Sequence, residues 1–317
     1  MTPRTPTSSK AHPLKGLVAQ STMHHVQSNG RHRPKGARLL AVITRYLLWY
    51  ALLCALGFVF AIPLLWMFSV SLHDLAGVFA DPFRWIPEDL HWQNYAEAVT
   101  LLPFGRYLLN TVVITVFVLI GVVLSSSLVA YGFSRLQFRG RNKLFVVCIA
   151  TMMLPAQVTM IPLYIGFAEV GWVDTFLPLI VPAFFGSPFY IFLLRQFFLT
   201  IPREYDEAAV LDGAGKLRIY WSIILPLARP ALATVALFAF LGTWNDFFNP
   251  LIYLNSPEMA TLTLGLNMMK SQVIGTGVTQ WHLLMAASLL VMLPNIILFF
   301  FAQRHFMKGI QIGGLKG

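Results

Sequence analysis

The chain has 317 residues, of which 57% are hydrophobic and 11% charged. A soluble domain averages about 45–50% apolar and about 25% charged residues, so this chain lacks the polar surface a water-soluble globule of its size needs, whereas a bilayer can face apolar side chains directly. The net charge of +10 would suit a nucleic-acid partner, but the placement of the charges argues against one.

Eight of the 23 Lys and Arg residues lie in residues 1–45, which hold no acid. This stretch is rich in Pro, Ser, Thr, Gly and His, with little to bury, and reads as a disordered basic cytoplasmic tail. A targeting peptide or an RNA-binding arm is the weaker alternative, because the apolar run that follows is too long for a cleaved leader. His24 and His25 are adjacent within this tail, and no metal site is expected there. Cys54 and Cys148 sit inside apolar runs without ligand spacing and read as inert thiols.

Six apolar stretches follow. Residues 46–72, 107–134, 144–168, 175–194 and 271–303 contain no Asp, Glu, Lys or Arg, and 230–257 contains only Asp246. A helix rising about 1.5 Å per residue needs roughly 20 residues to cross the hydrocarbon. Each stretch is long enough, the sixth with its helical part starting near Trp281. Helix is expected because lipid cannot satisfy free backbone groups. The expected fold is therefore an all-α integral membrane protein with six transmembrane helices spread over 46–303, followed by a tail at 304–317.

With the N-terminus placed inside, twenty Lys and Arg fall on inner segments and three (Arg84, Arg106, Lys270) on outer ones. That asymmetry puts both termini in the cytoplasm. Trp49, Trp66, Trp85, Trp92, Trp172 and Trp281 lie near the proposed interfaces, as an aromatic belt requires. The long outer loop 73–106 reads either as a plain loop or as an amphipathic segment on the outer surface, with 94–99 helical. Pro155 and Pro162 interrupt the third span; Pro178, Pro182 and Pro188 interrupt the fourth. Broken helices serve either a pathway or packing alone.

The inner loop 200–226 is unlike a connector. Thr200 and Pro202 suit a helix start. Glu204, Asp206 and Glu207 favour the positive end of its dipole. Gly213 suits the left-handed turn that ends it, and a second short helix runs to Pro226. Small Ala208 and Ala209 would let another surface approach. Gly213-Ala214-Gly215-Lys216 is no nucleotide loop, because Val210 and Leu217 occupy the positions that need Gly and Ser or Thr.

This loop resembles the EAA loop of ABC-importer permeases, whose pattern is Glu-Ala-Ala, three residues, Gly, nine residues, Ile, one residue, Leu-Pro. Glu207, Ala208, Ala209, Gly213, Ile223, Leu225 and Pro226 match every position. The run 243–251, with Trp244, Asn245, Asp246 and Asn249, resembles the fifth-helix signature of sugar-importer permeases. The end, 309–317, resembles the tail of the smaller maltose-permease subunit. The resemblance covers the second to sixth spans and the C-terminus; the long basic N-terminal tail falls outside it.

The resemblance implies a type I (MetI-like) permease bundle in a bacterial plasma membrane, translocating a sugar. It implies a homologous second permease, two ATP-binding cassette ATPase subunits that dock on the loop at Glu207 and bind the ATP and Mg, and an extracytoplasmic solute-binding protein probed by the outer loop around Gly275-Thr276-Gly277. No catalytic residue, metal or cofactor is expected in this chain, and no nucleic acid. Asp246, with Trp244, Asn245 and Asn249, is expected either to meet sugar hydroxyls or to make an interhelical hydrogen bond. Gln157, Met160, Ser187 and Tyr190 are further pathway candidates. A stand-alone secondary transporter or channel is the alternative, but it leaves the Glu207 loop unexplained and predicts internal repeats that are not evident.

Overall fold

The computed structural model describes residues 35–80, 84–271 and 279–313, with side chains between residues 43 and 301 of these. Residues 1–60 and 61–317 form two units. In the first, the described residues open helix α1, Lys35–Ser71, and every side chain from 43 to 60 is uncovered by the chain. The expected tail is thus helical from Lys35 onward. Ala37, Leu39, Leu40 and Ala41 extend the apolar run upstream of Arg45, and one long basic side chain can lie along a helix without ending it. Residues 1–34 lie outside the described residues.

The second unit is built of helices, and no strand occurs among the described residues. They are α2 (Gln93–Leu101), α3 (Phe104–Arg135), α4 (Arg141–Ala150), α5 (Ala156–Glu169), α6 (Pro188–Thr200) and α7 (Glu204–Leu211). After them come α8 (Lys216–Leu227), α9 (Arg229–Trp244), α10 (Phe248–Tyr253), α11 (Leu262–Ser271) and α12 (Trp281–Gly313). Among the described residues four stretches are long and apolar enough to cross a membrane unaided; counting two bent pairs as one span each raises this to six. One pair, 141–153 with α5, bends by 95°; the other, α8 with α9, bends by 79°.

The breaks have local causes. Leu154 and Pro155 are extended where the third span turns, whereas Pro162 stays inside α5 and breaks nothing. In the fourth span Pro178 and Pro182 occupy first turns, where no N–H is missed. The break falls at Gly186, whose φ of 85° only glycine adopts freely, and Pro188 then opens α6. The fifth apolar stretch is not one helix: α9 stops at Trp244, because Asp246 takes the backbone N–H of Asn249 and starts α10 afresh. The sixth helix runs on to Gly313, past the expected boundary at 303.

In the 73–106 segment the expected helix at 94–99 is present as part of α2, and it packs against α12 rather than lying free on a surface. Ala98 of α2 is fully buried against Leu283, Ala286 and Ala287 of α12. Asn94 donates to the carbonyls of Ser71 (2.9 Å) and His73 (2.7 Å), closing the end of α1. The main core joins α3, α6 and α9 through Val118, Val122, Ala130, Ile191, Leu194, Phe198, Val235 and Ala239. A Cβ at Gly121 would meet the Phe184 ring at 2.8 Å, so only glycine lets the 181–185 turn lie flush on α3.

Candidate functional site

Two features stand at opposite ends of α3. Its 32 residues span about 48 Å, more than the roughly 30 Å hydrocarbon thickness. Near the N-terminal end lies a cavity of about 300 Å³. Thr111, Ile114 and Val118 of α3 form one wall, and Leu163 and Phe167 of α5 another. Pro178, Leu179 and Pro182, then Thr243, Asp246, Asn249, Pro250, Tyr253 and Thr261, complete it. The break between α9 and α10 is what turns Asp246 and Asn249 toward this space. The Asp246 carboxylate accepts from the Asn249 backbone (3.2 Å) and side-chain amides (2.7 Å). Thr263 fixes the Asp246 carbonyl at 2.7 Å. Three threonine hydroxyls, an amide and one carboxylate among aromatic and proline walls suit a hydroxyl-rich neutral molecule.

The other expected pathway residues are elsewhere. Trp244 is 4% exposed, stacks on Phe240 and donates its indole N–H to the Val291 carbonyl of α12 at 3.0 Å. It packs between α9 and α12 there and does not line the cavity. Asn245 bonds the Leu241 carbonyl (2.8 Å) and accepts from Asn295 (2.9 Å), outside the cavity. Gln157 and Met160 lie on α5 upstream of the lining residues; Tyr190 packs against the main core. Ser187 donates its N–H to Ser126 Oγ.

Sequence reasoning missed Thr111, Phe167, Thr243, Tyr253 and Thr261, whose types are unremarkable in an apolar helix. It also missed Asp174, the sole non-glycine with positive φ among the described residues (61°). Its carboxylate accepts from the Ser256 hydroxyl and the amides of Ser256 (2.8 Å) and Asn255 (2.9 Å). Those bonds, the hydroxyl's foremost, hold its carboxyl below the usual range. Its own N–H reaches the Tyr253 carbonyl at 2.7 Å. An adjacent Asp-Thr pair after Gly-Trp-Val was the available turn signal.

At the other end of α3 sits the 200–226 loop. Thr200 is the last residue of α6, its hydroxyl bonding Phe197, and caps nothing downstream. Helix α7 carries Glu204, Asp206 and Glu207 in its first turn. It ends in a Schellman arrangement: Ala214 N–H to Ala209 O (2.8 Å) and Gly213 N–H to Val210 O (3.0 Å), with Gly213 at φ 79°. Glu207 and Ala208 are uncovered, but Ala209 faces inward and is buried in the core. Of the two alanines, only Ala208 leaves room for an outside surface. Ile224 is fully buried, Ile223 and Leu225 partly so. Pro226 lacks an N–H and its ring crowds the carbonyl one turn back, so residues 220–224 widen into a π turn before α8 bends into α9. Between the charges, Tyr205, Val210, Leu211 and Trp221 stay uncovered, Leu211 at 88%.

The chain was compared with known proteins. The family described as the inner membrane component of binding-protein-dependent transport systems matches residues 121–312. The chain is 33% identical over 258 residues to the probable ABC transporter permease protein YurM of Bacillus subtilis, covering 81% of this chain and 84% of that one. It is 31% identical over 268 residues to the diacetylchitobiose uptake system permease protein NgcG of Streptomyces coelicolor, covering 84% and 88%. Among solved structures it resembles a chain of a bacterial ABC transporter involved in the import of the acidic polysaccharide alginate. There the TM-score is 0.70 at 27% identity, covering 86% of this chain and 98% of that one.

Proposed function

The chain belongs to the family of inner membrane components of binding-protein-dependent transport systems, and from that premise we propose that it is one of two permeases in an ATP-driven sugar importer. Its substrate is an oligosaccharide or related carbohydrate, as in the relative named for diacetylchitobiose uptake. An extracytoplasmic binding protein delivers the sugar to the side of the cavity and of the 254–262 turn. Two separate ATPase subunits bind ATP and Mg on the cytoplasmic side, and both termini of this chain lie there. No cofactor resides in this chain. ATP binding and hydrolysis drive alternating access through differential contacts in two states.

The observation that carries this reading is the 204–227 hairpin. It combines acidic Glu204 and Glu207 with apolar Val210, Leu211 and Trp221, all exposed among the described residues. A charged loop that keeps bare leucine and tryptophan is built to be covered by a protein. A channel or secondary transporter working alone has no use for it. The test is Glu207→Lys in the purified complex. Losing a desolvated charge pair and adding repulsion costs about 2–5 kcal/mol. Recovery of the ATPase with the permease should collapse, while sugar binding by the external protein is untouched. Wild-type recovery and wild-type ATP hydrolysis would overturn the docking assignment.

A further inference from the structure

Ser127, Tyr131 and Arg135 are each four residues apart on α3 and therefore share one face. All three reach the 200–226 loop. The Ser127 and Tyr220 hydroxyls share a hydrogen bond of 2.7 Å. Tyr131 donates to the Lys216 carbonyl at 3.0 Å, its ring packed against Tyr220. Arg135 donates through Nη1 to Asp206 Oδ2 (3.1 Å) and through Nη2 to the carbonyls of Phe198 (2.6 Å) and Ile201 (2.7 Å). One guanidinium thus joins the end of α3, two carbonyls at the end of α6 and the first turn of α7. At its other end the same helix holds the outer turn: Asn110 donates to the Glu258 and Ala260 carbonyls (2.9 Å each). Thr111 accepts from the Leu262 N–H at 2.9 Å and lines the cavity.

We propose that the Ser127–Tyr131–Arg135 ladder locks the 200–226 loop to α3, so that loop and helix move as one body and α3 carries ATPase-driven motion to the cavity wall. Arg135 and Asp206 are its positioning residues. The proposal rests on the reading that the ATPase docks on this loop. A purely stabilising role fits the chemistry less well. The Arg135 side chain is only 3% exposed, yet its Nε, like Asp206 Oδ1, has no partner among the described residues. Buried ion pairs give little net stability even when every atom is matched. What this one supplies is a fixed geometry among three elements. The helix is suited to the task, because α3 contains no proline and no break among 32 residues, whereas 141–169 and 216–244 both bend.

The experiment uses the whole complex in nanodiscs, with Cys54 and Cys148 replaced and spin labels at Ser222→Cys on α8 and Leu109→Cys on the outer half of α3. The inter-label distance is measured with and without MgATP plus vanadate. In the otherwise wild-type protein the distance should not change. In Arg135→Ala/Asp206→Ala, which removes both charges together, the complex should still assemble, with a lowered thermal midpoint because the Phe198 and Ile201 carbonyls lose a donor. The distance should become nucleotide-dependent, and coupled ATP hydrolysis should fall by about tenfold, within the usual range of coupling between sites. If that variant fails to assemble, Ser127→Ala/Tyr131→Phe removes two rungs without touching a charge and is read the same way. A nucleotide-dependent distance in the wild-type protein overturns the proposal, as does a ladder variant whose distance stays fixed. Glu207→Lys separates the premise: if that complex keeps its ATPase, the docking reading fails first and the ladder loses its driver.

Discussion

Replacing Trp244 separates packing from transport. The indole is 4% exposed, lies 5.3 Å from the Phe240 ring and donates to Val291. Its neighbours include Tyr107, Leu262, Leu264 and Val291, from three different helices. Trp244→Ala therefore removes a large ring from a closed site and strips a partner from a buried carbonyl. Large-to-small changes of this kind cost about 3–5 kcal/mol, and the unmade hydrogen bond contributes about 1 kcal/mol. Trp244→Phe keeps most of the ring and loses the donor, so its cost should be near the second figure alone. The assay is thermal unfolding of the solubilised complex together with uptake per recovered complex. Trp244→Ala should lower the midpoint and the yield, and Trp244→Phe should fall between it and wild type. Asp246→Ala, which faces the cavity, should instead leave the yield intact and reduce uptake. A Trp244→Ala complex with wild-type midpoint and abolished uptake would refute the packing assignment and make the indole a sugar platform.

Gly213→Ala meets no neighbouring atom within 4 Å, so its cost is the left-handed backbone alone, about 1–2 kcal/mol. It should weaken ATPase recovery less than Glu207→Lys, as pull-down yields will show. Asp174→Asn keeps a residue that tolerates positive φ and weakens the grip on Asn255 and Ser256, so it should raise hydrogen exchange at 253–256; Asp174→Ala should raise it further. Because the folded carboxyl titrates below its ordinary value, this latch is present above the unfolded value and is lost only as pH falls through the lower folded one. Exchange at 253–256 should accordingly show no step from Asp174 between pH 8 and 5. Reporters fused after Lys143 or Arg218 should read as cytoplasmic, and those after Glu97 or Gly277 as external; an external Arg218 would refute the topology.

The helical class and most helix positions were legible because charge-free runs of about 20 residues report apolar helices directly. Gly213 and Pro226 were legible because each acts on the backbone by itself: glycine reaches the positive φ of 79° that ends α7, and proline removes an N–H and crowds the preceding turn. Trp244 was not: a tryptophan beside Asn245 and Asp246 reads as polar recognition until the facing helix, 47 residues away, supplies a carbonyl. Pro155 and Pro162 look alike in sequence, yet the residue before Pro155 is extended whereas Pro162 lies inside α5. The inward turn of Ala209 follows from where α7 meets the core, which the alanine itself does not report. The Gly275-Thr276-Gly277 loop lies outside the described residues, as does the tail at 314–317.

The bend at Pro155 has a consequence for the surrounding lipid. The limb before it, 141–153, and the 14-residue α5 after it are each about 20 Å long, against a hydrocarbon layer of about 30 Å. At 95°, only one limb can stand along the bilayer normal while the other lies across it. Where lipid meets this part of the protein, its acyl chains shorten or splay to match a limb of that length, at fractions of a kcal/mol per ångström. Tail length in the host membrane thereby becomes an energetic variable of the transporter: thinner bilayers favour the bent arrangement, and thicker ones load it with strain.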